Sequence, residues 1–284
     1  MKIYLDCLPC LLRQGLEASR LATDKEEVQA KIMKEILDLI SDYENYRYSP
    51  EIGREMHQIV KKHTGVLDPY KSIKEDNIKS ALDIYPTLKH FLFRKADRLY
   101  WALKIAATGN IIDYGVYSNV NIEESINQEL NKEFSIDHTK KLKGDLKESK
   151  NLLIIGDNAG ETVFDKVLIE DLLYLDITYA VRDKPIINDA TLEDARASGL
   201  GQSTRLISTG CKAPGLIIEE CSKEFLDIYN KADIIISKGQ GNYETLSGGN
   251  RKMFFLLKAK CPVISDRLGV NVNDYVFQWH EGNK

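Results

Sequence analysis

The sequence predicts an α/β protein: a three-layer α/β/α unit with a mostly parallel sheet, preceded by an all-helical N-terminal region. Three observations carry this. Apolar residues recur at helical spacing from Leu8 to about Leu99, β-rich runs crowd the chain after about residue 150, and helix-like segments separate those runs. Strands spaced by helices imply parallel pairing with both sheet faces covered. The division expected is 1–98 for the helical region and 99–284 for the α/β unit.

In the first region Val28, Ile32, Ile36, Leu39 and Ile40 mark one helix, with Thr23-x-x-Glu26 as its capping signature. Ser49-Pro50, Gly65, Asp68-Pro69 and Tyr85-Pro86 divide the remainder, because proline disfavours helical geometry in the residue before it. Gly109 ends a helix over "KADRLYWALKIAAT". Segment 121–150 holds a helix and a weak strand around Phe134–Ile136, and its order is not set by pattern. The strands expected are "LLII" (152–155), "DITYAV" (176–181), "TRLIS" (204–208), "ADIIIS" (232–237) and "CPVIS" (261–265).

With 43% hydrophobic and 29% charged residues and a formal net charge of -4, the chain has the composition of an ordinary globular protein. Basic pairs such as Lys61-Lys62 and Lys140-Lys141 are too short for a nucleic-acid stripe, so no nucleic-acid partner is expected. No apolar stretch approaches the roughly 20 residues a bilayer needs, and no secretory leader is evident. A cytoplasmic location without membrane contact is expected; pattern does not set the oligomeric state. Five cysteines do not suggest a secreted disulfide framework. Cys211, Cys221 and Cys261 read as small buried hydrophobes.

Active residues of parallel sheets gather at the carboxyl ends of strands. There the sequence places Gly156-Asp157-Asn158-Ala159-Gly160-Glu161, Arg182-Asp183-Lys184 with Asn188-Asp189, Gly210, and Lys238-Gly239-Gln240-Gly241-Asn242. Asp157, Asn158 and Asp189 offer hard oxygen donors suited to Mg²⁺ or Mn²⁺. Lys238 is a point charge of the kind that holds a phosphate, with Gly239 and Gly241 letting backbone amides approach it. Each also has a plainer reading: Asp157, Asn158 and Asp189 as helix N-caps, Lys238 as a surface lysine.

A dinucleotide or methyl-donor site would need G-x-G-x-x-G, whereas "GDNAGE" sets a carboxylate between two glycines, where it would repel a pyrophosphate. Arg182 stands where an NAD site would carry an acid. An aspartyl-phosphate phosphatase would show D-x-D at a strand end. Direct attack by an activated water is the better expectation. The alternatives are a non-catalytic phosphometabolite- or nucleotide-binding protein, and then a methyltransferase.

"DCLPCLLRQ", "AATGNIID" (106–113), "GDNAGE" (156–161), "KPIINDAT" (184–191) and "SKGQGNYETL" (237–246) together resemble the metal-dependent damage-control phosphatases, in the archaeal-type branch with an N-terminal Cys-x-x-Cys. The resemblance implies a helical region followed by a three-layer α/β domain. It also implies one divalent cation (Mg²⁺, Mn²⁺, Co²⁺ or Ni²⁺) and hydrolysis of small phosphorylated metabolites. It places the cation on Asp157, Asn158 and Asp189, the phosphate on Lys238, and Asn110 and Asp113 near the substrate. Glu161, Asn242 and Glu244 follow as weaker candidates around the cation or substrate, and Asp113 and Glu161 as candidate general bases. Cys7 and Cys10 are half a zinc site without a second pair; either they are structural, with Pro9 in the first helical turn, or they face the cleft with Arg13.

Overall fold

The computed structural model describes residues 1–109 and 122–283. Three helices open it: α1 (Cys7–Ala22), α2 (Glu26–Ser41) and α3 (Ser49–Thr64). Their apolar stripes close on Leu11, Ile32, Ile36, Met56 and Val60. The expected Thr23 cap is displaced: α2 starts at Glu26, and Thr23 Oγ1 accepts from the Lys25 amide instead. Gly65 ends α3 in the left-handed region at φ 72°.

Helix α4 (Lys71–Phe93) runs straight through Pro86, which was expected to divide it. Ile84, Leu88 and Leu92 are buried on either side of that proline, and packing outweighs the lost backbone bond. With α5 (Arg98–Thr108), α4 belongs to the core of the sheet's first face, alongside Leu152, Ile154 and Phe164.

The rest is α6 (Ile122–Leu130), β1 (Phe134–Asp137), α7 (Thr139–Asp145), β2 (Asn151–Ile155), α8 (Glu161–Asp171), β3 (Asp176–Val181), α9 (Leu192–Ala197), β4 (Arg205–Ser208), α10 (Lys223–Lys231), β5 (Ile234–Lys238), α11 (Gln240–Leu246), β6 (Met253–Lys258), α12 (Pro262–Leu268) and β7 (Tyr275–His280). The seven strands form one sheet in the order β1-β7-β6-β5-β2-β3-β4, parallel except for β6 against β7. Leu153, Ile155, Ile235 and Phe255 point to the second face, against α10 to α12.

"CPVIS" is a helix, not a strand: Pro262 occupies its first turn, where proline is favoured, and a five-residue apolar run does not by itself distinguish the two states. The strands on that side are instead "MFFLLK" and "YVFQWH". From β2 the chain steps outward through β3 and β4, then returns to β5 on the opposite side of β2. The turns after β2 and β5 therefore flank the topological switch point, where a crevice opens in such sheets.

Candidate active site at the sheet switch point

At the end of β2 the chain turns through Gly156 to Asp157 and Asn158, then enters α8. The loop after β3 folds back beside it: the Ala190 amide donates to Asp157 O at 2.7 Å, the Ala159 amide to Asn188 O at 2.8 Å, and Asn158 and Asp189 form an isolated antiparallel bridge. Asp189, distant in sequence from the neighbours Asp157 and Asn158, is thus brought beside them, and all three are buried. None of them caps a helix. Gly160 is the N-cap of α8, and Thr191 with Asp194 forms the capping box of α9. The returning loop carries Ile187 at φ 45°, a strained value for a β-branched residue and of a kind found at functional sites.

Asp157 abuts Gly239. A Cβ at that glycine would fall 2.0 Å from Asp157 Oδ2, so only glycine fits there, and its φ of 82° also requires it. Burial, and then the charges of Glu161 and Asp189, push the Asp157 carboxyl well above its ordinary range. Burial likewise raises Asp189, against the pull of Arg182. Arg182 donates through Nε to Asp189 Oδ1 at 2.8 Å and through NH2 to Asn242 Oδ1 at 2.9 Å. Its NH1 is buried with no hydrogen-bond partner among the described residues.

Four residues expected at the substrate have polar groups engaged within the protein. Lys238 is 1% exposed, and its Nζ donates to Ala106 O, Glu161 Oε2 and Asp165 Oδ1 at 2.8, 2.9 and 2.7 Å, so its three N–H groups are committed inside the protein. Burial opposes its charge, but Asp165 and Glu161 prevail and hold its pKa above the ordinary lysine value. The Gly239 amide donates to Leu256 O at 3.0 Å rather than facing a ligand. Asn242 donates to Gly156 O and Lys238 O and accepts from Arg182 and the Leu216 amide, which makes it a brace between strand ends. Glu161 accepts from Lys238 on one oxygen and from Asn158 Nδ2 on the other, at 3.0 Å, which leaves it poorly placed as a general base.

Asn110 and Asp113 lie outside the described residues. Gly109 does not end α5 in the left-handed region, its φ being -53°. It is small because a Cβ there would meet the Glu161 Cα at 3.1 Å, which brings α5 against the start of α8. Glu244 is pushed up to about 7 by burial and interacts with Gln240. Cys10 interacts electrostatically with Cys261, Arg13, Cys7 and Glu244, which places the Cys-x-x-Cys beside the β6–α12 turn; all five cysteines are free. Of the three expected buried thiols, Cys211 is buried, and Cys221 and Cys261 are half-buried.

Pattern reasoning missed the roles of Arg182, Asp165, Tyr179 and Lys260. Tyr179 donates to Asp165 Oδ2 at 2.6 Å, and Lys260 interacts electrostatically with both Asp157 and Asp189. One sequence signal for Asp165 existed: it follows Glu161 by four residues on the same helix, so the two acids share a face.

Six ionisable side chains are thus buried together: Asp157, Asp189, Glu161 and Asp165 against Arg182 and Lys238. Four carboxylates against two cations leave an excess of two negative charges among these buried groups when all are ionised, with the exposed Lys260 adding positive charge from outside the cluster. Among the described residues no three His, Cys, Asp or Glu side chains group to hold a metal by themselves. Asp157, Asp189 and Asn158 bring two carboxylates and one amide together. A separate cavity of about 330 Å³ between α4 and α9 contrasts with it: the buried Lys74 there pairs with Asp68 and Asp194.

A mostly parallel α/β sheet with a buried acid-rich cluster at its switch point has its distinctive chemistry where sheets of this class bind ligands, at the carboxyl edge of the strands. Residues 3–276 match the family model described as the damage-control phosphatase ARMT1-like domain, and the chain belongs to that family. It is 36% identical over 276 residues to a damage-control phosphatase of Pyrococcus horikoshii, covering 95% of each chain. It is 33% identical over 287 residues to one of Archaeoglobus fulgidus, covering 97% and 98%. An uncharacterized protein of Methanocaldococcus jannaschii is 39% identical over 288 residues, covering 97% and 95%. The crystal structure of a DUF89 family protein from P. horikoshii superimposes with a TM-score of 0.92 at 34% identity, covering 99% of both chains. Among the described residues no helix is long and apolar enough to cross a membrane.

Proposed function

We propose that the protein is a divalent-metal-dependent phosphatase hydrolysing phosphomonoesters of small metabolites. The observation that carries this is the excess of two buried negative charges at the switch point, with Asp157 raised by burial and by its acidic neighbours. A buried cluster with more carboxylates than cations either takes up protons or holds a further cation. Oxygen donors select Mg²⁺, Mn²⁺ or a similar hard ion. Asp157, Asn158 and Asp189 would hold it. Such an ion, when bound, polarises a phosphoryl oxygen and lowers the pKa of a water. Support for the phosphatase class comes from family membership and from relatives that carry that name.

The chain's own residues do the positioning. Arg182 fixes the Asp189 carboxylate through Oδ1. Glu161 fixes the Asn158 amide through Nδ2, so that its oxygen is the donor atom presented. Lys260, exposed at the rim, adds positive charge toward which a phosphate is drawn. Phosphate release from p-nitrophenyl phosphate, measured with EDTA and with Mg²⁺, Mn²⁺, Co²⁺ and Ni²⁺ restored singly, tests the proposal. Activity that appears only with a divalent ion supports it. A protein that binds phosphometabolites without turnover under every ion refutes it in favour of a binding protein.

A further inference from the structure

We infer that Lys238 is a positioning residue: through Glu161 it holds the Asn158 amide oxygen toward the proposed cation. This rests on the metal reading above and extends it. The chain of bonds is continuous and buried throughout. Tyr179 OH donates to Asp165 Oδ2 (2.6 Å), Lys238 Nζ donates to Asp165 Oδ1 (2.7 Å) and to Glu161 Oε2 (2.9 Å), and Asn158 Nδ2 donates to Glu161 Oε1 (3.0 Å). The third Lys238 donor goes to Ala106 O, which ties α5 to the same point. A lysine at a strand end beside a phosphate site would leave at least one N–H group toward the ligand. Here every one is directed at the protein, and the side chain is 1% exposed.

An amide is a poor device for holding its own orientation. Its oxygen and nitrogen occupy nearly the same volume, so only hydrogen bonds decide which faces the ion. Glu161 makes that decision by accepting from the nitrogen. Glu161 is itself held in place by Lys238, whose Nζ donates to its Oε2 at 2.9 Å. Groups behind metal ligands typically alter metal affinity by 10- to 100-fold when removed.

Charge alone argues for the opposite effect. Removing a lysine near a bound cation relieves repulsion and should tighten the ion, so a Lys238 that merely contacted phosphate would be replaced without loss of metal affinity. The double variant Lys238→Met/Asp165→Asn removes one charge of each sign and keeps the net charge of the Glu161–Lys238–Asp165 triad unchanged. Any weakening of Mn²⁺ binding in it reports orientation.

The experiment is calorimetric titration of the metal-free protein with Mn²⁺, for wild type, Lys238→Met and the double variant, with circular dichroism as the check on folding. We expect wild type to bind one ion and the double variant to bind it on the order of 10- to 100-fold more weakly. Saturating Mn²⁺ should then restore p-nitrophenyl phosphate turnover with KM little changed. Unaltered or tighter Mn²⁺ binding with a raised KM at every Mn²⁺ concentration would overturn the inference and return Lys238 to the phosphate. Wild type that takes up no Mn²⁺ would reject the metal reading itself, a different failure. Should Lys238→Met unfold, the charge-matched double variant carries the comparison; loss of folded structure in both would show Lys238 to be a fold residue and also overturn the inference.

Discussion

At Asp157, burial and two neighbouring carboxylates act in one direction, so the ionised side chain strains the metal-free fold and suits the metal-loaded one. Asp157→Asn keeps the shape and removes the charge. It should abolish turnover by roughly three decades or more, the loss of several kcal/mol of Lewis-acid stabilisation, while the metal-free variant melts no lower than wild type. Phosphate release and a melting curve in EDTA check the two halves, and near-normal turnover would end the assignment. His57 offers a pH test away from the site. Burial, and then Lys61, lower its pKa from 6.5 to about 4, and Nε2 has no partner among the described residues. The folded state keeps the ring neutral while the unfolded state protonates it near 6.5, so its contribution is full above that pH and is lost as pH falls toward 4. Between pH 7 and 5 this amounts to about 2 kcal/mol. His57→Phe should remove that share of the decline in urea-denaturation free energy, and an unchanged pH slope would refute it. The juxtaposition of Asp157, Asn158 and Asp189 was legible from acids and an amide placed at strand ends. The burial of Lys238 and Asn242 was not, because it depends on contacts such as Ala106 with Lys238, 132 positions apart.

Among the elements, the β5–α11 turn is where backbone and site meet. Gly239→Ala puts a methyl group 2.0 Å from Asp157 Oδ2 and demands a φ of 82°, whereas Gly65→Ala demands a φ of 72° with nothing within 4 Å. Both should lose about 1–3 kcal/mol from backbone strain. Only Gly239→Ala should also lose Mn²⁺ affinity, because Asp157 must move; equal affinities in the two variants would show that Asp157 is not held by that turn. The same turn shows the reach and limit of pattern. Fully buried parallel strands such as β2, β3 and β5 read clearly as apolar runs bounded by polar turns. The antiparallel β7 did not, since "YVFQWH" has a half-buried outer end and gains its partner only from strand pairing; β6 is as apolar a run as β2, and the expectation placed the strand at the neighbouring "CPVIS" instead. Proline was misread in both directions: Pro86 is carried inside a helix by packing, and Pro262 begins one.

For the whole molecule, the excess negative charge at the switch point makes the fold's stability depend on what neutralises it. A ligand that binds only the folded chain stabilises it by about 2.7 kcal/mol at a hundred times its Kd. At roughly 2–4 °C per kcal/mol for chains of this size class, Mn²⁺ or Mg²⁺ should raise the melting temperature by about 5–10 °C over EDTA. The rise should be absent with Na⁺ at matched ionic strength, because general screening acts on exposed pairs and these groups are buried. It should also be absent in Asp189→Ala, which removes a proposed donor and leaves Arg182 without its carboxylate partner. Such a variant loses stability from the broken buried pair, so the informative quantity is the difference with and without the ion, not the absolute melting temperature. A divalent-ion shift that survives Asp189→Ala would locate the cation elsewhere and separate the family membership, which stands, from the metal site proposed for this chain.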